Sequence, residues 1–222
     1  MNPEKGLWMA LRSKDAASVK ALIAQGAGVN TVGAGDQSPL HMACELDSVE
    51  CVDVLLDAGA DLKSEDGQLR TPLMIACESA ATRCAERLIS KGAPLGSTDK
   101  NDMTPLHWLA FHGDQKLLEV AIKAGADIDA VNYAMQSPLW LAVTKGQFAC
   151  AKTLIDKGAN ITRVDDEKRT PLHLVMQYGG GLEDSSESVD LLKRLLARKP
   201  DVNARDREKR TALHWARGKN AA

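Results

Sequence analysis

The stretch DMTPLHWLA, residues 102–110, decides the fold of this chain because close variants of it recur along the sequence. The copies DQSPLHMAC, LRTPLMIAC, MQSPLWLAV and KRTPLHLVM keep a step of 33 residues with it, and a last copy, KRTALHWAR, follows after 41. A second phrase keeps the same step and reads Gly26-Ala27, Gly59-Ala60, Gly92-Ala93, Gly125-Ala126 and Gly158-Ala159. Self-similarity at a fixed period of this length predicts an array of stacked repeats.

Each repeat is predicted to contain two helices. Ser38 is a good N-cap, and Pro39 suits the first helical position, where no backbone donor is needed. Val52, Leu55 and Leu56 fall at helical spacing in a second segment, and glycine after that segment suits a C-terminal cap. The polar link before each Ser or Thr, called a finger below, is predicted to be extended. One such unit cannot bury its apolar face alone, so stacking the units makes a continuous core.

The period, the S/T-P-L-H phrase and the Gly-Ala-Asp/Asn phrase resemble the ankyrin repeat family over nearly the whole chain. The resemblance implies an all-α solenoid of stacked helix-turn-helix units with projecting β-hairpin-like fingers, in a single domain over residues 1–222. The predicted boundaries are a capping repeat at 3–33, full repeats at 34–66, 67–99, 100–132, 133–165 and 166–206 (with an insertion near 180–187), and a partial repeat at 207–222. Where the family usually has glycine, two residues before the Thr, this chain has Asp36, Leu69, Asp102, Met135, Lys168 and Lys209.

One position of the phrase holds a histidine in four copies: His41, His107, His173 and His214. The resemblance implies that these imidazoles form hydrogen bonds near the helix start. Stacked helices lie roughly 8–10 Å apart, so a ladder of this kind cannot close around one metal ion. Trp140, at the same position, is interpreted as a replacement that packing tolerates. Because no phosphate-binding loop, nucleophile motif or metal-ligand motif is found either, we predict no enzyme, no catalytic residue and no cofactor.

The cysteines raise a metal-binding alternative. Cys44 and Cys51 repeat 33 residues later as Cys77 and Cys84, and four thiolates could form a zinc site. In later copies, however, Ala110 and Val143 take the first position, and Leu117 and then Cys150 take the second. Alternation of thiols with small or apolar residues is typical of core sites. A free cysteine behaves as a small apolar residue, so we interpret the thiols as part of a reduced core and predict no metal.

The charge distribution bears on nucleic-acid binding, and the targeting signals bear on the cellular location. The net charge is −2, although residues 188–222 hold ten Lys/Arg against four Asp/Glu. This basic stretch leaves nucleic-acid binding as a weaker alternative, against which the net acidity argues. No signal peptide and no membrane-spanning run is found, so a cytoplasmic protein, monomeric when free, is expected.

The resemblance implies that the inner face of the stack, built from fingers and first helices, binds another protein. Trp108 and Phe148 align with core leucines and are assigned to packing. Phe111, Tyr133 and Tyr178 align with exposed positions of that face. Exposed aromatic residues are the composition expected at the centre of an interface. The candidate partner-binding residues are Arg70, Met103, Phe111, His112, Tyr133, Met135, Gln136, Lys145, Arg169 and Tyr178. The predicted function is an interaction module or adaptor; the alternative is a regulatory subunit that blocks the active site of an enzyme or toxin.

Overall fold

The computed structural model describes residues 2–178 and 186–216, and within them the chain is all-helical with no strand, which confirms the predicted fold class. Six helix pairs follow one another: α1 (Pro3–Arg12) and α2 (Ala16–Ala24), α3 (Pro39–Glu45) and α4 (Val49–Asp57), α5 (Pro72–Glu78) and α6 (Thr82–Ser90), α7 (Pro105–His112) and α8 (Gln115–Lys123), α9 (Pro138–Thr144) and α10 (Phe148–Asp156), α11 (Pro171–Tyr178) and α12 (Ser186–Ala197). Short 3-10 turns occur at Ala34–Asp36 and Ala212–Trp215. None of the described helices is long and apolar enough to cross a membrane.

The helices form two compact units, Met1–Lys100 and Asn101–Ala222. In the first unit, α1, α3 and α5 pack side by side in one layer, and α2, α4 and α6 form a second layer. In the second unit, α7, α9, α11 and the turn Ala212–Trp215 form one layer, while α8, α10 and α12 form the other. Each unit therefore has a row of first helices against a row of second helices, which is the layering of an ankyrin solenoid.

The first helices begin as the sequence predicts. Ser38, Thr71 and Ser137 have extended backbone conformations, and each is followed by a proline at the start of the helix. The Ser137 hydroxyl accepts a hydrogen bond from the Trp140 amide at 3.2 Å, satisfying a donor that has no partner inside the helix. The phrase thus fixes where each first helix starts.

The core lies between the two layers of each unit. Leu40, Leu55 and Leu73 are fully or almost fully buried in the first unit, and Leu118 and Leu154 are fully buried in the second. All five cysteines are buried, as expected for core sites. Burial raises the pKa of the Cys84 and Cys150 thiols to about 12, so both remain protonated at neutral pH.

The fingers are tight turns. In the finger of residues 66–70, the Asp66 amide donates to the Arg70 carbonyl at 3.0 Å, and the Leu69 amide donates to the Asp66 carbonyl at 2.8 Å. The backbone φ is positive at all six positions where the ankyrin family usually has glycine: Asp36 (58°), Leu69 (60°), Asp102 (56°), Met135 (58°), Lys168 (59°) and Lys209 (62°). The left-handed turn is thus retained although an L-residue with a side chain occupies it.

Backbone hydrogen bonds also join neighbouring fingers. In the first unit, the amides of Gly67 and Lys100 donate to the carbonyls of Gly35 and Gln68, at 2.8 and 3.1 Å. In the second unit, Tyr133 donates to Asn101 at 3.2 Å and Arg207 donates to Glu167 at 3.0 Å. These bonds join neighbouring fingers at four junctions, two in each unit, and fix those fingers to one another as well as to their own helices. Most of the predicted insertion at 180–187 lies outside the described residues, since α12 begins at Ser186.

Candidate functional site

The histidines of the repeated phrase connect their first helices to the following fingers through hydrogen bonds. The Ser38 amide donates to His41 Nδ1 at 3.1 Å, and His41 Nε2 lies 2.8 Å from the Arg70 carbonyl oxygen. Because Nδ1 accepts, Nε2 carries the proton and donates. His107 and His173 repeat both contacts, with the carbonyls of Gln136 and Arg210. These imidazoles have the structural role that the resemblance implied.

Trp140 makes a different connection to the next finger. Its indole Nε1 donates to the Asp165 carboxylate at 2.9 Å, where a histidine would reach a backbone carbonyl. The Arg169 guanidinium lies 5.7 Å from the Trp140 ring centroid, within the range of a cation–π contact. Trp140 therefore forms a hydrogen bond with the following finger in addition to its packing role.

A buried aspartate organises several of the fingers. Asp66 Oδ1 accepts from the amides of Gln68 and Arg70, while Oδ2 accepts from Nε and Nη2 of Arg70 at 2.9 and 2.7 Å. The Asp165–Arg169 and Asp206–Arg210 pairs repeat the two backbone bonds and the Nε bond. Arg70, Arg169 and Arg210, called the finger arginines below, are therefore held against their own fingers.

Tryptophan rings alternate with these arginines in the second unit. Arg169 lies 5.7 Å from the Trp140 ring and 6.0 Å from the Trp215 ring, and Arg210 lies 4.0 Å from Trp215. Trp215 Nε1 donates to Asp206 at 2.9 Å. Burial raises the pKa of Asp206, but hydrogen bonds from the Arg210 backbone and side chain and from Trp215 outweigh it and hold the pKa at about 2. Asp206 is consequently ionised throughout the physiological range.

An aromatic cluster, here Trp108, Phe111, His112 and Lys145, forms on α7 and the end of α9. The Trp108 and Phe111 rings meet edge to face at 6.0 Å, and the His112 ring stacks on Trp108 at 6.0 Å. Lys145 Nζ lies 4.3 Å from the Phe111 ring centroid and has no ion pair within the described residues. His112 and Lys145 are exposed and Phe111 is half-buried. The cluster therefore presents apolar rings and positive charge to solvent.

Trp108 is less buried than the alignment with core leucines predicts. The residue is half-buried, and its rings face Phe111 and His112 at the surface. Its Nε1 is itself buried and has no hydrogen-bond partner among the described residues. Trp108 thus belongs to the cluster, whereas Phe148, at 3% exposure, is a core residue as predicted.

The other predicted site residues are dispersed. Tyr133 and Met135 are 72% and 46% exposed on the finger of residues 132–136, and Tyr178 is 37% exposed at the end of α11. None of the three makes a ring contact with the aromatic cluster in the part of the chain that the structure describes. Gln136 is half-buried and its side-chain oxygen accepts from Asn132.

Met103 requires a correction, because it was expected in an exposed patch. It is only 7% exposed, and its sulfur lies 3.5 Å from the Asn132 side-chain nitrogen of the next finger. The apolar side chain is buried at the position that arginines with an aspartate partner take in other fingers. Met103 therefore lies beneath the surface and supports it.

Sequence reasoning did not identify the finger aspartates as organising residues. Asp66, Asp165 and Asp206 each stand five residues before the Thr, with Asn132 at the matching place. This recurrence was the available signal, and the four-residue spacing to an arginine or glutamine was a second one. Within the described residues, no group of three His, Cys, Asp or Glu is arranged to hold a metal ion.

Comparison with known proteins places the chain in a family. Models of ankyrin repeats match residues 7–99 and 73–165, and a second ankyrin repeat model matches residues 185–219. The chain belongs to the ankyrin repeat family. A crystal structure of the human ASB11 ankyrin repeat domain is similar to it, with a TM-score of 0.81 and 27% identity over 97% of this chain and 93% of that one. No curated protein matches this chain. Ankyrin repeats are in general non-catalytic modules for protein–protein interaction.

Proposed function

We propose that this protein is a non-catalytic adaptor that recognises a partner protein through the first helices and fingers of its second unit. The aromatic cluster carries the proposal. Rings that contact one another at the surface, with an unpaired Lys145 above Phe111, are the composition of an interface centre rather than of a solvated face. Tyr133 and Met135 on the finger of residues 132–136, and Tyr178 at the end of α11, add exposed apolar area on other elements of the second unit. Under this proposal the free protein is a cytoplasmic monomer.

Affinity capture with matched variants tests the proposal. The full chain, a Phe111→Ala/Lys145→Ala variant and a Glu119→Ala control on the exposed side of α8 would be used as baits, and each captured protein would be purified and titrated. We expect the double variant to weaken binding at least about tenfold, since cluster residues of this type dominate interface energies. Equal affinity of all three baits for every purified partner would contradict the proposed surface.

The alternative function, a regulatory subunit that blocks the active site of its partner, would use the same surface. It is distinguished by assaying the purified partner for an enzymatic activity with and without this protein. Loss of that activity on binding, with recovery in the Phe111→Ala/Lys145→Ala variant, would identify inhibition as the function.

A further inference from the structure

The three finger arginines, Arg70, Arg169 and Arg210, differ in the number of carboxylates that accept hydrogen bonds from their guanidinium groups. Arg70 donates to Asp66 through Nε and Nη2 and to the Glu78 carboxylate through Nη1 at 2.6 Å. Arg210 pairs with Asp206 through Nε and with Glu208 through Nη1, at 2.9 and 2.8 Å. Two carboxylates therefore satisfy each of these arginines.

Arg169 has one carboxylate partner, Asp165, among the described residues. Its Nε donates to Asp165 at 2.8 Å, but its two terminal nitrogens have no hydrogen-bond partner among the described residues. The residue eight positions later, which is Glu78 in the finger of Arg70, is Gln177 here. Gln177 Oε1 is buried and makes no hydrogen bond in the described part of the chain. Among the described residues, no carboxylate therefore takes the place of Glu78 beside Arg169.

The eight-residue contact occurs in two repeats of the first unit. In the first unit, the Gln37 side chain also donates to the carboxylate of Glu45 at 3.4 Å, eight residues further on. A finger side chain therefore reaches the end of its own first helix, and the residue there determines whether it finds an acceptor. In the second unit, those ends carry Phe111, Thr144 and Gln177, and none of these residues supplies a carboxylate.

The surroundings of Arg169 favour an external anion. The guanidinium lies 5.7 Å from the Trp140 ring centroid and 6.0 Å from the Trp215 ring centroid. The Arg169 side chain is only 18% exposed, so its contact with water is limited. It lines a concave pocket with Trp215, and the pocket's acidic groups are already paired: Glu167 with Arg207, and Asp206 and Glu208 with Arg210. Within the described residues, the terminal nitrogens of Arg169 are donors at this pocket that have no acceptor.

We infer that Arg169 binds a carboxylate side chain of the partner, in an acidic segment whose Asp or Glu takes the position that Glu78 holds beside Arg70. The inference rests on the proposed function and assigns the chemistry of the partner. Glu78 supplies the internal precedent that this guanidinium position accepts a carboxylate. The segment's apolar side chains then lie along the first helices toward the aromatic cluster.

A peptide-display selection tests the inference. A random-peptide library would be selected on the full chain and on Gln177→Glu and Gln177→Ala variants. We expect the unmodified chain and Gln177→Ala to enrich peptides with Asp or Glu at one fixed position. Gln177→Glu supplies an internal carboxylate to Arg169, so it should lose that enrichment while remaining folded. A synthetic peptide of the enriched sequence should bind about tenfold more weakly to Gln177→Glu and to Arg169→Gln, since charge-assisted hydrogen bonds are the strong ones.

The outcomes separate the inference from the proposed function. Peptides that lack an acidic position but lose binding with Phe111→Ala would overturn the carboxylate site and leave the aromatic surface intact. Acidic peptides that bind Gln177→Glu as tightly as the unmodified chain would also overturn it. Peptides insensitive to both Phe111→Ala and Arg169→Gln, or failure to enrich any peptide, would count against the site as well. An Arg87→Gln control, on α6 and paired with Asp53 outside the proposed binding surface, should leave peptide affinity unchanged.

Discussion

Trp140 Nε1 donates a hydrogen bond to the Asp165 carboxylate at 2.9 Å, across the junction between α9 and the following finger. At the equivalent junctions, His107 and His173 instead reach the backbone carbonyls of Gln136 and Arg210. An indole is larger than an imidazole and has a single donor, so it bonds to a side-chain carboxylate that lies further out. Trp140 therefore keeps a hydrogen bond between the helix and the following finger, but the acceptor is a carboxylate instead of a backbone carbonyl.

Removing the indole donor should weaken this link. We expect Trp140→Phe to lower the free energy of unfolding by roughly 1.5–3 kcal/mol, the range for a hydrogen bond to a charged group. Trp140→His should lose less, because the imidazole can donate to the Arg169 carbonyl as its counterparts do. Urea denaturation of the two variants provides the measurement. A Phe variant as stable as the unmodified protein would show that the indole–carboxylate bond contributes nothing.

His41 predicts a pH dependence of stability. Burial lowers the pKa of His41 below its usual value of 6.5, because the neutral ring is favoured in the folded state. The unfolded state therefore binds the proton more tightly, so stability is fully present above the unfolded pKa and is lost as the pH falls through it toward the folded pKa. We expect the free energy of unfolding to drop between about pH 7.5 and 5.5, and the drop to be smaller in His41→Gln. Parallel curves for the two proteins would contradict this assignment.

Leu69 tests the left-handed finger turns. Its φ of 60° is costly for a side chain with a Cβ, and more so for a β-branched one. We expect Leu69→Gly to be neutral or to stabilise the protein by up to about 1 kcal/mol, and Leu69→Val to destabilise it by about 1 kcal/mol. Gln68→Gly, one residue earlier and without a positive φ, should destabilise and serves as the control. The opposite order of the two glycine variants in chemical denaturation would show that the turn is unstrained.

Substitutions of Trp108 distinguish the contribution of its packing to stability from the cost of its unsatisfied indole N–H. Trp108→Leu introduces leucine, the residue found at the same position of later repeats as Leu141 and Leu174. It also removes a buried indole donor that has no hydrogen-bond partner among the described residues. The two effects oppose each other, so we expect a change within about 1 kcal/mol. Trp108→Ala leaves the space unfilled and should cost roughly 2–4 kcal/mol. Calorimetry of both variants checks the expectation; an equal loss in both would mean that the tryptophan packs as a unique core residue.

The exposed tyrosine of the finger should matter for binding and not for folding. Tyr133 is 72% exposed, so Tyr133→Ala should change the free energy of unfolding by no more than about 0.5 kcal/mol. If the finger contacts the partner, the same variant should weaken its affinity by about 1–2 kcal/mol. Denaturation of the variant and titration of the purified partner are measured in parallel. Unfolding of Tyr133→Ala would show that the phenol supports the finger.

The fold followed from the sequence because its determinants are local and repeated. Ser38 and Pro39 define a helix start by their own chemistry, and the register of Cys44 with Cys77 indicates a shared buried position. The surface was harder to predict because its residues depend on contacts that one repeat does not reveal. Met103 and Arg70 occupy the same position in the sequence, yet one is buried against Asn132 and the other pairs with Asp66 and Glu78. Trp108 was assigned to the core because its neighbours in the alignment are leucines.

The links between fingers have a consequence for exchange with solvent. Four amides, those of Gly67, Lys100, Tyr133 and Arg207, donate to the preceding finger, but the matching amide of Asp166 makes no hydrogen bond within the described residues. That interruption falls at the junction where Trp140 replaces histidine. The Asp166 amide should exchange its hydrogen for deuterium at nearly the rate of an open chain, while Arg207 and Tyr133 on either side are protected. In the second unit, the fingers of residues 132–136 and 165–169 should therefore separate first, because no backbone hydrogen bond joins them in the described structure.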